Sequence, residues 1–461
     1  MDGQRNFARA SAKVIRGQAV AVLAALAATA ALVGAASPGG ASPAAGEAGR
    51  ANVQGAPVLT DFELLSFDLP SEPFWVGVGG RVSMDHFVGA TPDGRYVALN
   101  ATTVDGLSVV ALWDRVESRT IPVNVRPDGT YPNRRGGRSA FSDMSPDGRY
   151  VLFTSRARLT PDDNDKRVDE FRRDAVAGET VLVSIGPRGD KLGGWLVGGG
   201  ISDDGRIASF MQEYQEGFTG EAYVVFVRNI ETGVTRVGSM SEDGRRADGC
   251  WYSDVSADGR YLAFDSHANV FNREADGIQP DVFVKDRRTG AVQDLTWNKD
   301  VRYRVPVYLA GISADGTRVA YTTYAPQSGP SLWKPYLTDL ASGRVWPAAV
   351  DTAGNNRTVQ AFWLLPGSRA WAFVSSSKDL TGEEGPDGRW VDGYLVHVTT
   401  GAVFRVTGPT VPTDPPVPQR SQWLSFAVPG DRSFVWAATY LPMLPEDTDE
   451  AMDVYGRTIT W

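Results

Sequence analysis

Acidic residues cluster in the segments that separate the repeated sequence motifs of this 461-residue chain. The densest run is Asp162-Asp163-Asn164-Asp165, and Asp169 follows it closely. Oxygen ligands at near-alternate positions suit a hard cation such as Ca²⁺. We therefore predict a calcium site whose ligands are Asp162, Asp163, Asp165 and Asp169. No complete Asp-x-Asp-x-Asp-Gly…Glu loop is present, so ordinary solvated loops are the alternative interpretation.

Carboxylates in other long segments leave room for acid–base chemistry. They are Glu170, Glu274, Asp276, Asp281, Glu383, Glu384, Asp387, Asp392, Glu446, Asp447, Asp449 and Glu450. Two carboxyl groups at a suitable separation can act as general acid and base on a glycoside or a uronate. The sequence alone does not pair carboxylates that lie in different repeats.

Aromatic side chains stand among these carboxylates and could stack on a sugar or hold a peptide. Seven are predicted ligand contacts: Trp195, Trp251, Tyr252, Trp297, Trp333, Trp390 and Trp423. Packing between neighbouring sheets is the alternative role for the same residues.

The composition excludes several classes of chemistry. One cysteine, Cys250, is too few for a disulfide scaffold or a thiolate metal cluster. The chain has three histidines and no Gly-x-Ser-x-Gly, His-Glu-x-x-His or P-loop motif. A net charge of −9 argues against nucleic-acid binding. A non-enzymatic role is therefore the first hypothesis.

The elements that position these residues belong to one repeated phrase. Its clearest copies are Ser145-Pro146-Asp147-Gly148-Arg149-Tyr150-Val151 and Ser256-Ala257-Asp258-Gly259-Arg260-Tyr261-Leu262. The residue after the turn falls at 95, 149, 206, 260, 317, 369 and 432. Pro and Asp suit the centre of a type I turn, and Gly takes the positive φ that follows. Each copy thus predicts a β-hairpin followed by a strand that is buried on both faces.

A second phrase follows each first one, as in Asp286-Arg287-Arg288-Thr289-Gly290, and predicts a second hairpin. Each repeat then supplies four strands, a to d. Seven four-stranded units of about 55 residues are typical of a β-propeller. We predict an all-β fold, a single seven-bladed β-propeller of four-stranded antiparallel blades. Residues 59–67 are expected to complete the last blade and close the ring.

The Ser-Pro-Asp-Gly-Arg-Tyr phrase, paired with Asp-x-x-Thr-Gly, resembles the TolB-type WD40-like propeller repeat of secreted bacterial proteins. The resemblance covers residues 59–461 and implies a propeller fold in an extracytoplasmic setting. TolB-like proteins act as protein-interaction modules, so the resemblance also implies a binding role.

Because neighbouring strands of a blade run in opposite directions, the strand order determines which loops lie on which face of such a ring. The a–b and c–d turns must share one face, while the b–c and d–a connections share the other. The first two turns are tight, and the second two connections are long. Because binding residues usually lie on long loops over a rigid scaffold, we expect any site on the long-loop face or in the channel that opens there.

The N-terminus predicts export. Residues 1–36 combine Arg5, Arg9, Lys13 and Arg16 with an apolar run, which is typical of a Sec signal peptide. A retained membrane anchor is the alternative. Residues 37–57 are rich in Ala, Gly, Pro and Ser and predict a flexible linker. Residues 58–461 form the predicted propeller.

Three functions follow as hypotheses. The first is a secreted, monomeric, non-enzymatic scaffold that binds a protein, peptide or glycan and needs no cofactor. The second is a propeller glycosidase or polysaccharide lyase that uses carboxylates of the long-loop face. The third is a Ca²⁺-stabilised structural protein of the envelope. None involves nucleic acid, and no membrane span is expected after signal cleavage.

Overall fold

A computed structural model of the chain describes part of its length. The described residues are 58–59, 63–64, 87–91, 93–102, 108–132, 139–192, 196–213, 223–247, 249–267, 280–296, 307–324, 333–359, 361–364, 371–376, 380–381, 392–397, 402–405, 432–439 and 453–460. The predicted signal peptide and linker, residues 1–36 and 37–57, lie outside them. In these ranges every regular element is a strand, and no helix is available to span a membrane.

Twenty-eight strands occur in the described part of the chain. They are β1 Val58–Leu59, β2 Glu63–Leu64, β3 Phe87–Ala90, β4 Tyr96–Thr102, β5 Ser108–Asp114, β6 Arg119–Pro122, β7 Ser139–Met144, β8 Tyr150–Ser155, β9 Asp169–Asp174, β10 Glu179–Leu182, β11 Leu196–Ile201, β12 Ile207–Glu213, β13 Tyr223–Asn229, β14 Val234–Val237, β15 Ser253–Val255, β16 Tyr261–Ser266, β17 Asp281–Asp286, β18 Val292–Asp294, β19 Val307–Ile312, β20 Arg318–Tyr324, β21 Trp333–Asp339, β22 Val345–Pro347, β23 Ala361–Leu364, β24 Trp371–Ser376, β25 Asp392–His397, β26 Val403–Arg405, β27 Arg432–Thr439 and β28 Asp453–Thr460.

These strands form antiparallel sheets that follow one another along the chain. Sheets one to six contain β3–β6, β7–β10, β11–β14, β15–β18, β19–β22 and β23–β26, each paired in simple sequence order. This is the strand order of propeller blades, and it agrees with the predicted a-b-c-d repeat. The all-β, four-stranded antiparallel prediction is thus confirmed for the part of the chain described.

The remaining sheet, sheet seven, joins the two ends of the described chain. Strand β28 lies between β27 on one side and β1 and β2 on the other. Val58 is opposite Thr460, and Leu64 is opposite Tyr455. The segment near Leu64 is therefore hydrogen-bonded beside the C-terminal strand β28.

The a–b and c–d turns lie together on one face, as strand parity predicts. The backbone N–H of Ala175 in the c–d turn donates to the Arg149 carbonyl beside the a–b turn at 2.7 Å. An arginine after the a–b turn also pairs with the aspartate that ends strand c. These pairs are Arg95–Asp114 at 3.0 Å, Arg149–Asp174 at 2.9 Å and Arg260–Asp286 at 2.7 Å. We call this side the turn face.

The turn glycines also pack consecutive sheets together. Gly148 and Gly205 have φ of 71° and 69°, as the turn requires. A Cβ on Gly205 would lie 2.3 Å from the Tyr150 ring of the preceding sheet. The same approach links Gly148 to Tyr96. The glycine is therefore needed both for the turn and for the contact between sheets.

The opposite, long-loop face differs from the prediction in one respect. The d–a connections are not irregular throughout, because several contain a short hairpin. Isolated bridges close three of them: Ile185–Lys191, Met240–Arg246 and Val350–Asn356. Gly189, Gly244 and Gly354 supply the positive φ at the tips. In the sequence, the signal for these short hairpins was a glycine two to four residues after a polar residue of the turn.

The core lies between sheets. In strand b of sheet one, Val97, Ala98 and Leu99 are all fully buried, which confirms a strand covered on both faces. Stacked phenylalanines, one from strand b and one from strand c, repeat this burial in later sheets: Phe153–Phe171, Phe210–Phe226 and Phe264–Phe283. Sheets thus pack face to face through apolar side chains, the usual arrangement of a propeller.

Candidate functional site

The predicted calcium ligands come together only in part. Asp163, Asp165 and Asp169 each offer a carboxylate oxygen within 4.8 Å of the others. Asp162 is exposed and stands outside this group. The first two residues lie in the b–c loop of sheet two, and Asp169 begins β9. We call Asp163, Asp165, Asp169 and the lysine described next the loop cluster.

A lysine from the d–a hairpin of the same sheet enters this group. The Lys191 ammonium contacts Asp163 and lies 2.9 Å from Asp165 Oδ1 and 2.7 Å from Asp169 Oδ2. Its side chain is 10% exposed. An ammonium with three donors thus stands where the prediction put a metal ion. The predicted metal remains a prediction, and it would have to share the cluster with this charge.

Electrostatics in the loop cluster reflect that pairing. Burial by itself lowers the pKa of Lys191, but hydrogen bonds to Asp163, Asp169 and Asp165 outweigh it, so the pKa is raised. Burial raises the pKa of Asp169 to about 6, although Lys191 and the Ser184 hydroxyl both favour its ionised form. The cluster is therefore an internal ion-pair network at neutral pH.

The predicted aromatic contacts do not form one group among the described residues. Trp195, Trp297, Trp390 and Trp423 lie outside those residues. Trp333 is 4% exposed and packs edge-on against Tyr308 at 5.3 Å, so it offers little surface to a ligand. Trp251 is 37% exposed, and its ring lies 6.3 Å from that of His267.

Tyr252, next to Trp251, belongs to a second group of residues, which lies on the innermost strands. The backbone N–H groups of Trp251 and Tyr252 both donate to Asp265 Oδ1, at 2.8 and 2.9 Å. Burial raises the pKa of Tyr252 well above its ordinary value, and nearby carboxylates act in the same direction. Among the predicted aromatics that the structure describes, Trp251 and Tyr252 both contact the fully buried Asp265 through their backbone N–H groups.

Asp143, on the innermost strand β7, joins sheet two to sheet three. Its Oδ2 accepts the backbone N–H of Ile201 at 2.9 Å, and its Oδ1 accepts that of Met144 at 2.8 Å. Burial and, to a smaller extent, the Asp254 carboxylate raise the pKa of Asp143 to about 8, and the two N–H bonds oppose the shift. We call this contact the two/three joint.

Asp254 makes the same contact between sheets four and five. Its Oδ2 accepts the N–H of Ile312 at 3.0 Å, and its Oδ1 accepts that of Val255 at 2.8 Å. Burial raises its pKa to about 6, against the effect of the same two bonds. We call this the four/five joint. It repeats the two/three joint two joints further along the chain.

The glycine run Gly198-Gly199-Gly200 lies between these acids. A Cβ on Gly200 would stand 2.5 Å from Asp254 Oδ1, and one on Gly199 would stand 2.4 Å from the Ser209 carbonyl oxygen. A Cβ on Gly198 would meet Ser142 Oγ at 2.1 Å and Glu170 Oε1 at 3.0 Å. Close packing near the innermost strands, rather than phosphate binding, therefore accounts for the run.

Glu170 is the most unusual acid of this region. Its side chain is fully buried, and neither carboxyl oxygen has a hydrogen-bond partner among the described residues. Burial raises its pKa well above the ordinary value; the nearby Ser142 hydroxyl lowers it in part, and Asp143 and Asp169 raise it again. Burial without a neighbouring cation therefore disfavours the charged form of this carboxyl group.

Comparisons with known proteins return distant likenesses among solved structures. No protein-family model and no curated protein matches the chain. Solved structures that resemble it include an oligogalacturonate lyase in complex with manganese, at 12% identity over 81% of this chain and 87% of that one, with a TM-score of 0.45. The propeller domain of the Trilobed protease from Pyrococcus furiosus is 12% identical over 76% and 90%, with a TM-score of 0.46.

TolB from Acinetobacter baumannii is also similar, at 14% identity over 87% of this chain and 96% of that one, with a TM-score of 0.34. A prolyl endopeptidase is 11% identical over 80% of this chain, which spans only 50% of that protein, with a TM-score of 0.49. These names describe those proteins.

Proposed function

We propose that this chain is an exported binding scaffold, a seven-bladed β-propeller whose long-loop face holds a protein, peptide or glycan. The proposed ring has the segment 58–64 as the last strand of its seventh blade. The pairing of β1 and β2 with β28 supports that closure. The apolar run of residues 19–36, preceded by basic residues, supports export.

The observation that carries the proposal is the difference between the two faces. On the turn face, arginines and aspartates neutralise one another in a pattern that repeats from sheet to sheet. On the long-loop face, exposed hairpin tips such as 187–190 and 352–355 differ in sequence from one sheet to the next. A repeated face builds the scaffold, and a variable face is where recognition is expected.

The test measures binding on each face separately. The chain without residues 1–36 is applied to a glycan array and a peptide library, and hits are measured by calorimetry. Asp190→Arg and Thr352→Arg alter exposed tips on the long-loop face. Val116→Arg and Val176→Arg alter side chains that are 71% and 77% exposed on the turn face. The first pair should weaken binding by about tenfold or more, and the second pair should leave it unchanged. The reverse result would overturn the assignment of faces.

A polysaccharide lyase or glycosidase is the second candidate, and one observation favours it. Asp143 and Asp254 are half-buried acids on either side of the same glycine run, with pKa values raised to about 8 and about 6. Two carboxyl groups with different pKa values can act as acid and base. Turnover of a polyuronate panel that Asp143→Asn abolishes, with the fold intact, would favour this candidate over the scaffold.

A calcium-stabilised structural role is the third candidate. The three carboxylates of the loop cluster suit a hard cation, but Lys191 already supplies positive charge among them. If metal stabilises the protein, EDTA lowers the melting temperature and CaCl₂ restores it. No change with either reagent would remove this candidate.

A further inference from the structure

The segment that carries Trp251 connects sheet three to sheet four and is bonded to both. The backbone N–H groups of Trp251 and Tyr252 donate to Asp265 Oδ1, on strand b of sheet four, at 2.8 and 2.9 Å. The Cys250 N–H donates to the Tyr223 carbonyl, on strand c of sheet three, at 3.2 Å. Hydrogen bonds to a carboxylate are stronger than those between neutral groups. This d–a connection is therefore held firmly where it reaches the long-loop face.

The tryptophan and the acid that holds its backbone are both exceptions to the repeat. Nine residues after the Ser or Thr of each a–b turn, sheets one to five carry Asn100, Thr154, Met211, Asp265 and Thr322. Five residues before the same Ser or Thr, they carry His86, Ala140, Val197, Trp251 and Tyr308. Sheet four alone among these five therefore combines a carboxylate at the first position with a tryptophan at the second. The pair is specific to one sheet and is not part of the repeated scaffold.

The Trp251 side chain is 37% exposed although its backbone is anchored. The other exposed large apolar side chains among the described residues lie in a c–d turn or directly after one, on the turn face: Val116, Val176, Val234 and Val345. Within the described ranges, Trp251 is thus the one large apolar side chain exposed on the long-loop face. A single exposed apolar residue is ordinary by itself. Here a fully buried carboxylate, Asp265, is kept at a cost in desolvation to fix its position.

Polar groups stand beside the Trp251 ring and in the same connection. The His267 ring lies 6.3 Å from the indole and is tilted by 57° to it. The hairpin tip of this d–a connection exposes Asp243 and Arg245, whose side chains pair at 2.7 Å. Such groups donate and accept hydrogen bonds, while the pairing of the two charges leaves little net charge at the tip.

We propose that Trp251 is the stacking platform of a neutral-glycan site on the long-loop face. The inference rests on the proposed binding function and names the ligand class of that face. A pyranose has a face of C–H groups and a rim of hydroxyl groups. It can pack the C–H face on one aromatic ring while polar groups beside the ring bond to its hydroxyls.

Two observations favour a neutral glycan over the other ligands. A protein partner is held by several apolar anchors in a larger buried core, and the described residues of this face expose one such side chain. An acidic glycan would be repelled by a chain whose net charge is −9. A neutral sugar needs only the single ring and its polar surroundings.

The test observes sugar binding at the indole itself. The protein is labelled with fluorotryptophan and titrated with neutral hexasaccharides of glucose, mannose, galactose and N-acetylglucosamine, and with hexagalacturonate as the acidic probe. Fluorine NMR follows Trp251, whose signal is identified by its loss in Trp251→Phe. At least one neutral sugar should shift this signal saturably, with a Kd on the order of 1 mM or lower. No shift with any neutral member would overturn the proposal.

Variants separate stacking from a general effect on the fold. In calorimetry with the sugar that binds, Trp251→Ala should weaken affinity by about tenfold or more, and Trp251→Phe, which keeps an aromatic face, by less than about fivefold. Trp346→Ala is the matched control, because this half-buried ring is already covered by the Arg344 guanidinium at 5.0 Å. It should leave affinity unchanged. Equal losses in Trp251→Ala and Trp346→Ala, or no loss in Trp251→Ala, would contradict a platform at Trp251.

Failure of this inference and failure of the proposed function give different results. If a ligand from the array or the peptide library depends on Asp190 or Thr352 but not on Trp251, the binding scaffold stands and the platform is wrong. If no ligand of any class binds, both are wrong. Tighter binding of hexagalacturonate than of every neutral sugar would overturn the neutral-glycan assignment and favour the lyase candidate.

Discussion

Asp169 and Glu170 are neighbours on strand β9, yet the protein holds the two buried acids in different ways. Alternation along a strand sends their side chains to opposite faces of sheet two. Asp169 points to Lys191 and two further aspartates in the loop cluster. Glu170 points to Ser142 and Gly198 at the two/three joint. One acid is balanced by an ammonium, and the other has carboxylates rather than a cation as its charged neighbours.

The four/five joint shows what the two/three joint would be without that acid. Both joints use an aspartate that accepts two backbone N–H groups, at nearly equal distances. Val282 and Leu309 then fill the four/five joint with apolar side chains of one core cluster. Features that recur from sheet to sheet thus build the scaffold, whereas Glu170 and Gly198 occur at one joint and give it a property of its own.

The largest expected effect comes from moving the acid to the other joint. Val282→Glu would place a carboxyl group where Leu309 occupies the space that Gly198 leaves open at the two/three joint. An unpaired buried acid together with overpacking should cost more than about 4 kcal/mol of stability. Urea unfolding followed by tryptophan fluorescence measures it.

The reverse change, Glu170→Val, is the control for that result. It installs the valine that sheets one, three and four carry, at Val110, Val225 and Val282, but leaves the space beside Gly198 unfilled, so it should cost only about 1–2 kcal/mol at both pH 5 and pH 9. A large loss from Glu170→Val at both pH values would mean that the carboxyl group makes contacts essential to the fold.

Removing the ammonium from the loop cluster should have the next largest effect. Lys191→Met leaves Asp163, which is 3% exposed, and Asp169, which is fully buried, without their cation. We expect a loss of about 3 kcal/mol, because breaking a buried ion pair strands the remaining charges. Lys166→Met, an exposed lysine of the same loop, is the matched control. If CaCl₂ restores the stability of Lys191→Met, the cluster can hold the predicted metal once the lysine is gone.

The repeated part of this architecture was accessible from sequence, and the specialised part was not. The Asp-Gly turns located the hairpins in the sequence. The strand order within each blade, and the face on which each loop lies, then followed from counting the strands. Lys191 could not be assigned to the aspartates, because a d–a hairpin meets a b–c loop only after folding. Asp143 and Asp254 each stand two residues before the turn serine, a spacing that was visible but had no obvious role. Glu170 becomes conspicuous only when the strand registers are aligned.

The two aspartates of the joints should matter equally, and less than Lys191. Asp143→Ala and Asp254→Ala each leave two backbone N–H groups without their acceptor, at a cost of about 2 kcal/mol. The double variant should lose more than the sum, because each single variant also relieves the repulsion between the two carboxylates, and the double variant can relieve it only once. Urea unfolding of the three variants measures both expectations. A fully additive loss would show that the joints are electrostatically independent.

The smallest expected effect concerns the hydroxyl that lies between Asp169 and Glu170. Ser184 Oγ donates to Asp169 Oδ1 at 2.7 Å and accepts the Glu170 N–H at 3.2 Å. Thr296 does the same for Asp281 and the Val282 N–H, at 2.9 and 3.0 Å. Because each alanine variant removes one equivalent hydroxyl, Ser184→Ala and Thr296→Ala should each cost about 1 kcal/mol in urea unfolding. A much larger loss for Ser184→Ala, together with a changed pH dependence, would mean that this hydroxyl couples Asp169 to Glu170. The loop cluster and Glu170 would then form one connected network rather than two separate sites.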